Sequence, residues 1–237
     1  MRINVYISST VFCSRREADR LIQSGRVMIN GMYAQIGSDV SDTDIVSIDG
    51  KTIGKRPKAI YMAFNKPEGV ESTTDQAKPH NIIDYLHYPE RIFPIGRLDK
   101  DSSGLILLTN DGMIVNKILR SENEHDKEYV VELDNDITNE FLMTMAAGVK
   151  IYNPARHEYT ITKPCKIKQI DTRKFTIILT QGLNRQIRRM TKELGFNVLY
   201  LHRIRIMNIN LGSLPLGEYR FLIKTELDQL LRSIGGK

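Results

Sequence analysis

The sequence predicts an α+β fold in two unequal units, on the strength of three observations. Within residues 1–50 a helix-capping pattern, a short amphipathic stretch and a tight-turn signal fall close together. The stretch Lys51 to Lys58 (KTIGKRPK) is polar, carries Gly and Pro, and has no periodicity. From Ala59 onward, apolar runs of strand length are interleaved with amphipathic segments of helix length, the pattern of one large sheet with helices packed on it. The expected organisation is a small unit at 1–50, a linker at 51–58 and a large unit at 59–237.

In the small unit, Ser14 and Glu17 form a capping box, in which each side chain satisfies a free backbone N–H at a helix start. Ala18, Leu21 and Ile22 supply the apolar stripe, and Gly25 can adopt the left-handed conformation that ends a helix. Val27 to Ile29 reads as a strand, Asn30-Gly31 as a tight turn and Ile45 to Ile48 as a second strand. In the large unit the strand candidates are Ile60 to Phe64, Leu105 to Thr109, Glu128 to Leu133, Phe175 to Thr180 and Val198 to Met207. Gly112 to Arg120, Thr138 to Ala147 and Asn184 to Leu194 are the helix candidates.

Composition narrows the class. With 41% hydrophobic and 26% charged residues, the chain is neither disordered nor a coiled-coil rod. Cys13 and Cys165 cannot make a disulfide framework, no apolar run approaches the roughly 18 residues of a membrane span, and the first ten residues lack the apolar stretch of a signal peptide, so a cytoplasmic protein is expected. The net charge is +6, and it is local: Lys163 to Arg205 holds 11 Lys or Arg against Asp171 and Glu193. Such a field can gather nucleic-acid phosphates or can be an ordinary solvated face.

Several chemistries are excluded by reading. Gly50-Lys51-Thr52 resembles the end of a phosphate-binding loop, but Ile45 stands where that loop needs glycine. The five histidines, His80, His87, His125, His157 and His202, have no zinc-ligand spacing, and there is no G-x-S-x-G elbow. Two segments remain. Pro94 to Gly104 (PIGRLDKDSSG) is a Gly-flanked polar loop running into the apolar Leu105 to Leu108, which can hold Asp99 on a rigid support as a catalytic carboxylate or can be a solvated turn. Past Asn184 as a helix cap, Ile187, Met190, Thr191 and Leu194 share one face, while Arg185, Arg188, Arg189 and Lys192 share the other. That basic face can grip RNA, hold an active-site carboxylate, or do both.

Four segments in order, Asn65-Lys66-Pro67-Glu68-Gly69, Gly96 to Leu105 (GRLDKDSSGL), Lys127-Glu128-Tyr129 and Gly182 to Met190 (GLNRQIRRM), resemble the RsuA/RluB/RluE/RluF family of ribosomal RNA pseudouridine synthases, most closely the RluF group. The first 50 residues resemble the S4 RNA-binding module that precedes that catalytic domain, with one departure at Val5, where such modules usually carry a basic residue. The resemblance implies an S4-type α/β domain, then a large mixed, mostly antiparallel sheet flanked by helices. It implies isomerisation of uridine in a large-subunit ribosomal RNA hairpin, by a monomer that needs no cofactor and no metal.

It also implies roles. Asp99 matches the attacking aspartate, Tyr129 the tyrosine that stacks on the uracil, Arg188 the arginine that pairs with the aspartate, and Arg97 a residue that fills the space left by the flipped nucleotide. Arg15, Arg16, Arg20, Lys66, Lys127, Arg185, Arg189 and Lys192 are the expected RNA contacts. Two other classes stay in view: a non-catalytic RNA-binding or ribosome-assembly factor on the same scaffold, and a metal-dependent nuclease using Asp99 and Asp101.

Overall fold

The computed structural model describes residues 1–41, 43–54, 56–119, 125–154 and 157–235, and the chain divides into two compact units. The first takes in Met1–Ile60 with Asn110–Gly112; the second takes in Tyr61–Thr109 and the chain from Met113 onward.

The first unit opens with α1 (Ile3–Ser9) and α2 (Arg15–Gln23). Helix α2 starts as expected, the Ser14 hydroxyl accepting the Glu17 N–H at 3.2 Å, but the Glu17 carboxylate turns outward to Arg20 at 3.1 Å. At its end Gly25 takes φ +67° and the Arg26 N–H closes on the Leu21 carbonyl at 3.0 Å, a left-handed termination. Helix α1 is not expected from sequence, because β-branched and aromatic residues dominate Ile3–Ser9. Ile3 and Ile7, one turn apart and fully buried, decide the conformation against that propensity. Strands β1 (Val27–Ile29), β2 (Met32–Tyr33), β3 (Val46–Ile48) and β4 (Lys51–Thr52) form an antiparallel sheet in the order β2-β1-β3-β4. Lys51 and Thr52 pair with Ile48 and Ser47, so the expected linker begins inside a hairpin; its Lys55 lies outside the described residues.

The second unit is built on a nine-stranded mixed sheet. In chain order its elements are β5 (Tyr61–Lys66), α3 (Ile82–Leu86), β6 (Phe93–Ile95), β7 (Ser103–Thr109), α4 (Gly112–Leu119), β8 (Lys127–Leu133) and α5 (Asn139–Ala147). Then come β9 (Lys150–Asn153), β10 (Glu158–Ile161), β11 (Lys166–Asp171), β12 (Lys174–Leu179), α6 (Gln186–Glu193), β13 (Val198–Ile206), β14 (Ile209–Asn210), β15 (Tyr219–Phe221) and α7 (Lys224–Gly235). The main order is β11-β12-β8-β13-β7-β5-β15, with β6 beside β7 and β14 beside β13; β9 and β10 form a separate hairpin. Only β13 with β7 is parallel among the named pairs.

All five expected strands and all three expected helices of this unit are present, with ends shifted by a few residues; Arg120, the expected end of α4, lies outside the described residues. The short elements α3, β6, β14 and β15, the hairpin β9–β10, the edge strand β11 and helix α7 are additions. Thr138 caps α5, accepting the Phe141 N–H at 3.1 Å. Every residue of β7 is buried, which gives the loop before it a rigid base. The close parallel approach of β7 and β13 requires glycine at 104: its φ is +106°, and a Cβ there would lie 2.3 Å from the Arg203 carbonyl oxygen.

Candidate active site

The loop from Gly96 to Ser102 is fastened residue by residue around Asp99. Arg203 Nη1 donates to the Arg97 carbonyl at 3.4 Å. The Ser72 hydroxyl donates to the Leu98 carbonyl at 2.7 Å and accepts the Leu98 N–H at 3.1 Å. Beyond Asp99, the Gly69 N–H holds the Lys100 carbonyl at 2.8 Å, and the Ser102 N–H returns to the Asp99 carbonyl at 3.1 Å. Asp99 is half-buried on this fixed frame, as preorganised chemistry requires.

Asp99 lines a cleft of about 560 Å³ within the second unit, together with Arg97, Lys127, Tyr129, Arg185 and Arg203. Leu98, Leu183 and Leu201 give the same cleft apolar walls. Its size and its mixture of apolar walls with a few convergent charges suit one nucleoside. Tyr129 reaches it because β8 sits between β12 and β13, with Tyr129 opposite Ile177 on one side and Arg203 on the other. The Arg203 guanidinium lies 5.9 Å from the Tyr129 ring centroid.

Arg188 does not take the place expected of it. Its Nε lies 3.5 Å from the Asp101 carboxylate, its Nη2 donates to the Asp101 carbonyl at 2.5 Å, and its Nη1 donates to Val198 at 3.1 Å. The guanidinium therefore grips the residue two positions past Asp99, because helix α6 presents it to the end of the loop. Arg185 adds a bidentate pair to the same carboxylate, at 3.1 and 2.6 Å. Desolvation pushes the Asp101 pKa up, but the Arg185 hydrogen bond and the Arg188 and Arg185 charges outweigh it and leave the carboxyl below its ordinary range. With both Asp101 oxygens engaged by arginine, the paired-carboxylate metal reading loses one of its two ligands.

The α6 start also differs from expectation. Arg185, not Asn184, is the residue at the helix boundary, with φ +49° and no side-chain cap. Gln186 serves the loop instead, its side-chain oxygen accepting the Leu183 N–H at 3.1 Å. Arg185 holds this left-handed conformation, unusual for a residue with a Cβ, while bound to Asp101.

Of the expected RNA contacts, one is corrected. Lys66 is fully buried; its ammonium donates to the Pro67 and Val70 carbonyls at 2.8 and 2.9 Å, so it cannot meet a phosphate at the surface. Burial, then the Arg203 charge, brings its pKa down to about 8. Arg189, half-buried, donates to the carbonyls of Tyr152 and Asn184. Lys127 lines the cleft, half-buried, its pKa lowered by desolvation and then by Arg203. Lys192 is exposed on α6; in the first unit Arg16 and Arg20 are exposed and Arg15 half-buried on α2.

Arg203 is the site residue that the sequence reading lacks. It is 4% exposed, donates from Nε to the Leu105 carbonyl at 2.6 Å, and keeps a buried Nη2 with no partner among the described residues. Its place in an apolar strand candidate was the available signal, since a buried arginine in a central strand needs a reason.

The RNA pseudouridylate synthase family profile matches residues 60–193, and the S4 domain profile matches residues 1–53. The dual-specificity RNA pseudouridine synthase RluF of Salmonella typhi is 50% identical over 237 residues, covering 99% of this chain and 80% of that protein. The ribosomal large subunit pseudouridine synthase B of Bacillus subtilis is 34% identical, covering 97% of this chain and 95% of that protein. A crystal structure of a pseudouridylate synthase superposes with a TM-score of 0.70 at 29% identity, covering 97% of this chain and 99% of the other. The chain belongs to the RNA pseudouridylate synthase family, with an S4 domain ahead of the catalytic one.

Proposed function

We propose that this protein isomerises uridine to pseudouridine in large-subunit ribosomal RNA, with Asp99 as the attacking group. The observation that carries the reading is the fixed placement of Asp99 in the same cleft as Tyr129, Arg97 and Lys127. The reaction breaks the bond from the ribose to uracil N1, turns the base, and joins the ribose to C5, a proton leaving C5 and one being taken up at N1. Every atom except that exchanged proton stays in the nucleotide, so the site needs only to flip, hold and reattach one base.

Each residue then has a task. Asp99 attacks, in a cleft that it shares with Arg185, Arg203 and Lys127. Tyr129 stacks on the uracil, and Arg97, exposed at the mouth, fills the gap left in the RNA. Arg188 acts at one remove as a positioning residue, through Asp101. Residues 1–50, with Arg15, Arg16 and Arg20, supply affinity and register, together with Lys192 on the catalytic domain. The protein works as a cytoplasmic monomer on a hairpin of the RNA.

Mapping pseudouridine in ribosomal RNA from cells with and without the protein tests the reading. One large-subunit uridine should lose its modification in the deleted strain and regain it when the wild-type chain, but not Asp99→Asn, is restored. An unchanged modification map would overturn it.

A further inference from the structure

We propose that the outer face of the β9–β10 hairpin is a stacking platform for unpaired nucleotides beside the uridine that enters the Asp99 cleft. The proposal rests on the RNA-modifying reading and assigns a second RNA-binding surface within the catalytic domain. Register puts Tyr159 directly opposite Tyr152 and Ile161 opposite Lys150, so these four side chains share one face. That face is open: Tyr152 is 40% exposed, Tyr159 63% and Ile161 69%. The opposite face buries Ile151 in the core of the domain, which fixes the hairpin's orientation.

The open face has the chemistry of a single-strand site. The two tyrosine rings lie 5.4 Å apart at 66°, and the Lys150 ammonium lies 5.2 Å from the Tyr159 centroid. Exposed aromatic rings offer a stacking surface to any base, and adjacent cations take the backbone phosphates. Of the four side chains on this face the charged one is the cationic Lys150, which suits a polyanion. A cross-strand tyrosine pair also steadies a two-stranded ribbon, but that role does not call for a lysine over the more exposed ring.

One side chain connects the platform to the cleft. Arg189 on α6 donates to the carbonyl of Tyr152 in the hairpin and to that of Asn184, which lines the cleft. Its guanidinium thus ties the two surfaces together, so a strand whose uridine is flipped toward Asp99 can lay its neighbours on Tyr152 and Tyr159.

The test uses the full chain with two probes, a 12-nucleotide oligouridylate carrying a central 2-aminopurine and the same strand annealed to its complement. Tyr159→Ala should weaken single-strand affinity at least fivefold and lose the fluorescence quenching caused by stacking, while Tyr159→Phe and Tyr159→Trp retain both. Duplex affinity and the thermal midpoint of Tyr159→Ala should stay at wild-type values. Unchanged single-strand affinity, or an equal loss on the duplex, would overturn the platform. So would self-association that disappears in Tyr159→Ala without any change in RNA binding, since that would assign the face to a second copy. Pseudouridine formation by the wild-type chain, measured alongside, separates failure of the platform from failure of the enzymatic reading.

Discussion

Arg185 and Asp101 form a two-pronged ion pair, Nη1 to Oδ1 at 3.1 Å and Nη2 to Oδ2 at 2.6 Å, with the Arg185 backbone held at φ +49°. The pair joins the start of α6 to the end of the loop that carries Asp99, and Arg188 reinforces it from one helical turn further on. The loop that carries Asp99 is therefore fixed at its far end.

Asp101→Asn should act on catalysis more than on stability. Both partners of the pair are nearly half exposed, so its removal should cost no more than about 1 kcal/mol of folding free energy. Losing the anchor of Arg185 and Arg188 should lower kcat/KM by roughly tenfold or more, since misplacement of a catalytic loop is costly. Urea unfolding and steady-state kinetics on one preparation check both halves. The pH dependence has a definite sign. The folded carboxyl lies below its ordinary 3.8, so the pair's stabilisation is in place above that value and is lost as pH falls through the lowered one. The stability difference between wild type and Asp101→Asn should shrink only below about pH 4.

Lys66 gives the opposite window. Its pKa is about 8 in the fold against an ordinary 10.5, so between these values the unfolded chain binds more protons and stability rises with pH. Relative to Lys66→Met, the wild-type chain should gain up to about 3 kcal/mol from pH 7 to pH 10.5, following the ~1.4 kcal/mol per unit of pKa shift. Denaturation curves at a series of pH values read this directly, and parallel curves would contradict it.

Gly104 and Gly182 should separate backbone necessity from mere loop composition. Gly104→Ala forces a Cβ against the Arg203 carbonyl at positive φ and should cost about 3 kcal/mol or more. Gly182→Ala meets nothing within 4 Å and should change stability by less than about 0.5 kcal/mol. Thermal melting of the two variants is sufficient.

Legibility followed the physics of each element. Helix α2 could be read because its cap, stripe and terminal glycine are local signals, and β7 because its apolar run is continuous. Asp49-Gly50 is a turn signal of the same kind as Asn30-Gly31, and with φ values of +52° and +76° it joins β3 to β4 and carries the first unit past residue 50. Leu227, Leu230, Leu231 and Ile234 likewise space α7 at helical intervals. Helix α1 was not legible, since only tertiary burial of Ile3 and Ile7 overrides its strand propensity. At the site, motif order placed Asp99, Tyr129 and Arg97 in one cleft. Spacing along the chain does not report where a long side chain ends, which is why Lys66 turned inward, Arg189 turned to carbonyls and Arg188 reached Asp101.

The most direct measurement is single-turnover pseudouridine formation by Asp99→Asn at saturating ribosomal RNA, with RNA affinity and thermal midpoint measured on the same sample. Removing a nucleophile while keeping its size should abolish product formation, at least 10³-fold below wild type, with affinity and stability close to unchanged. Turnover at the wild-type rate by this variant would contradict the assignment of Asp99 as the attacking group.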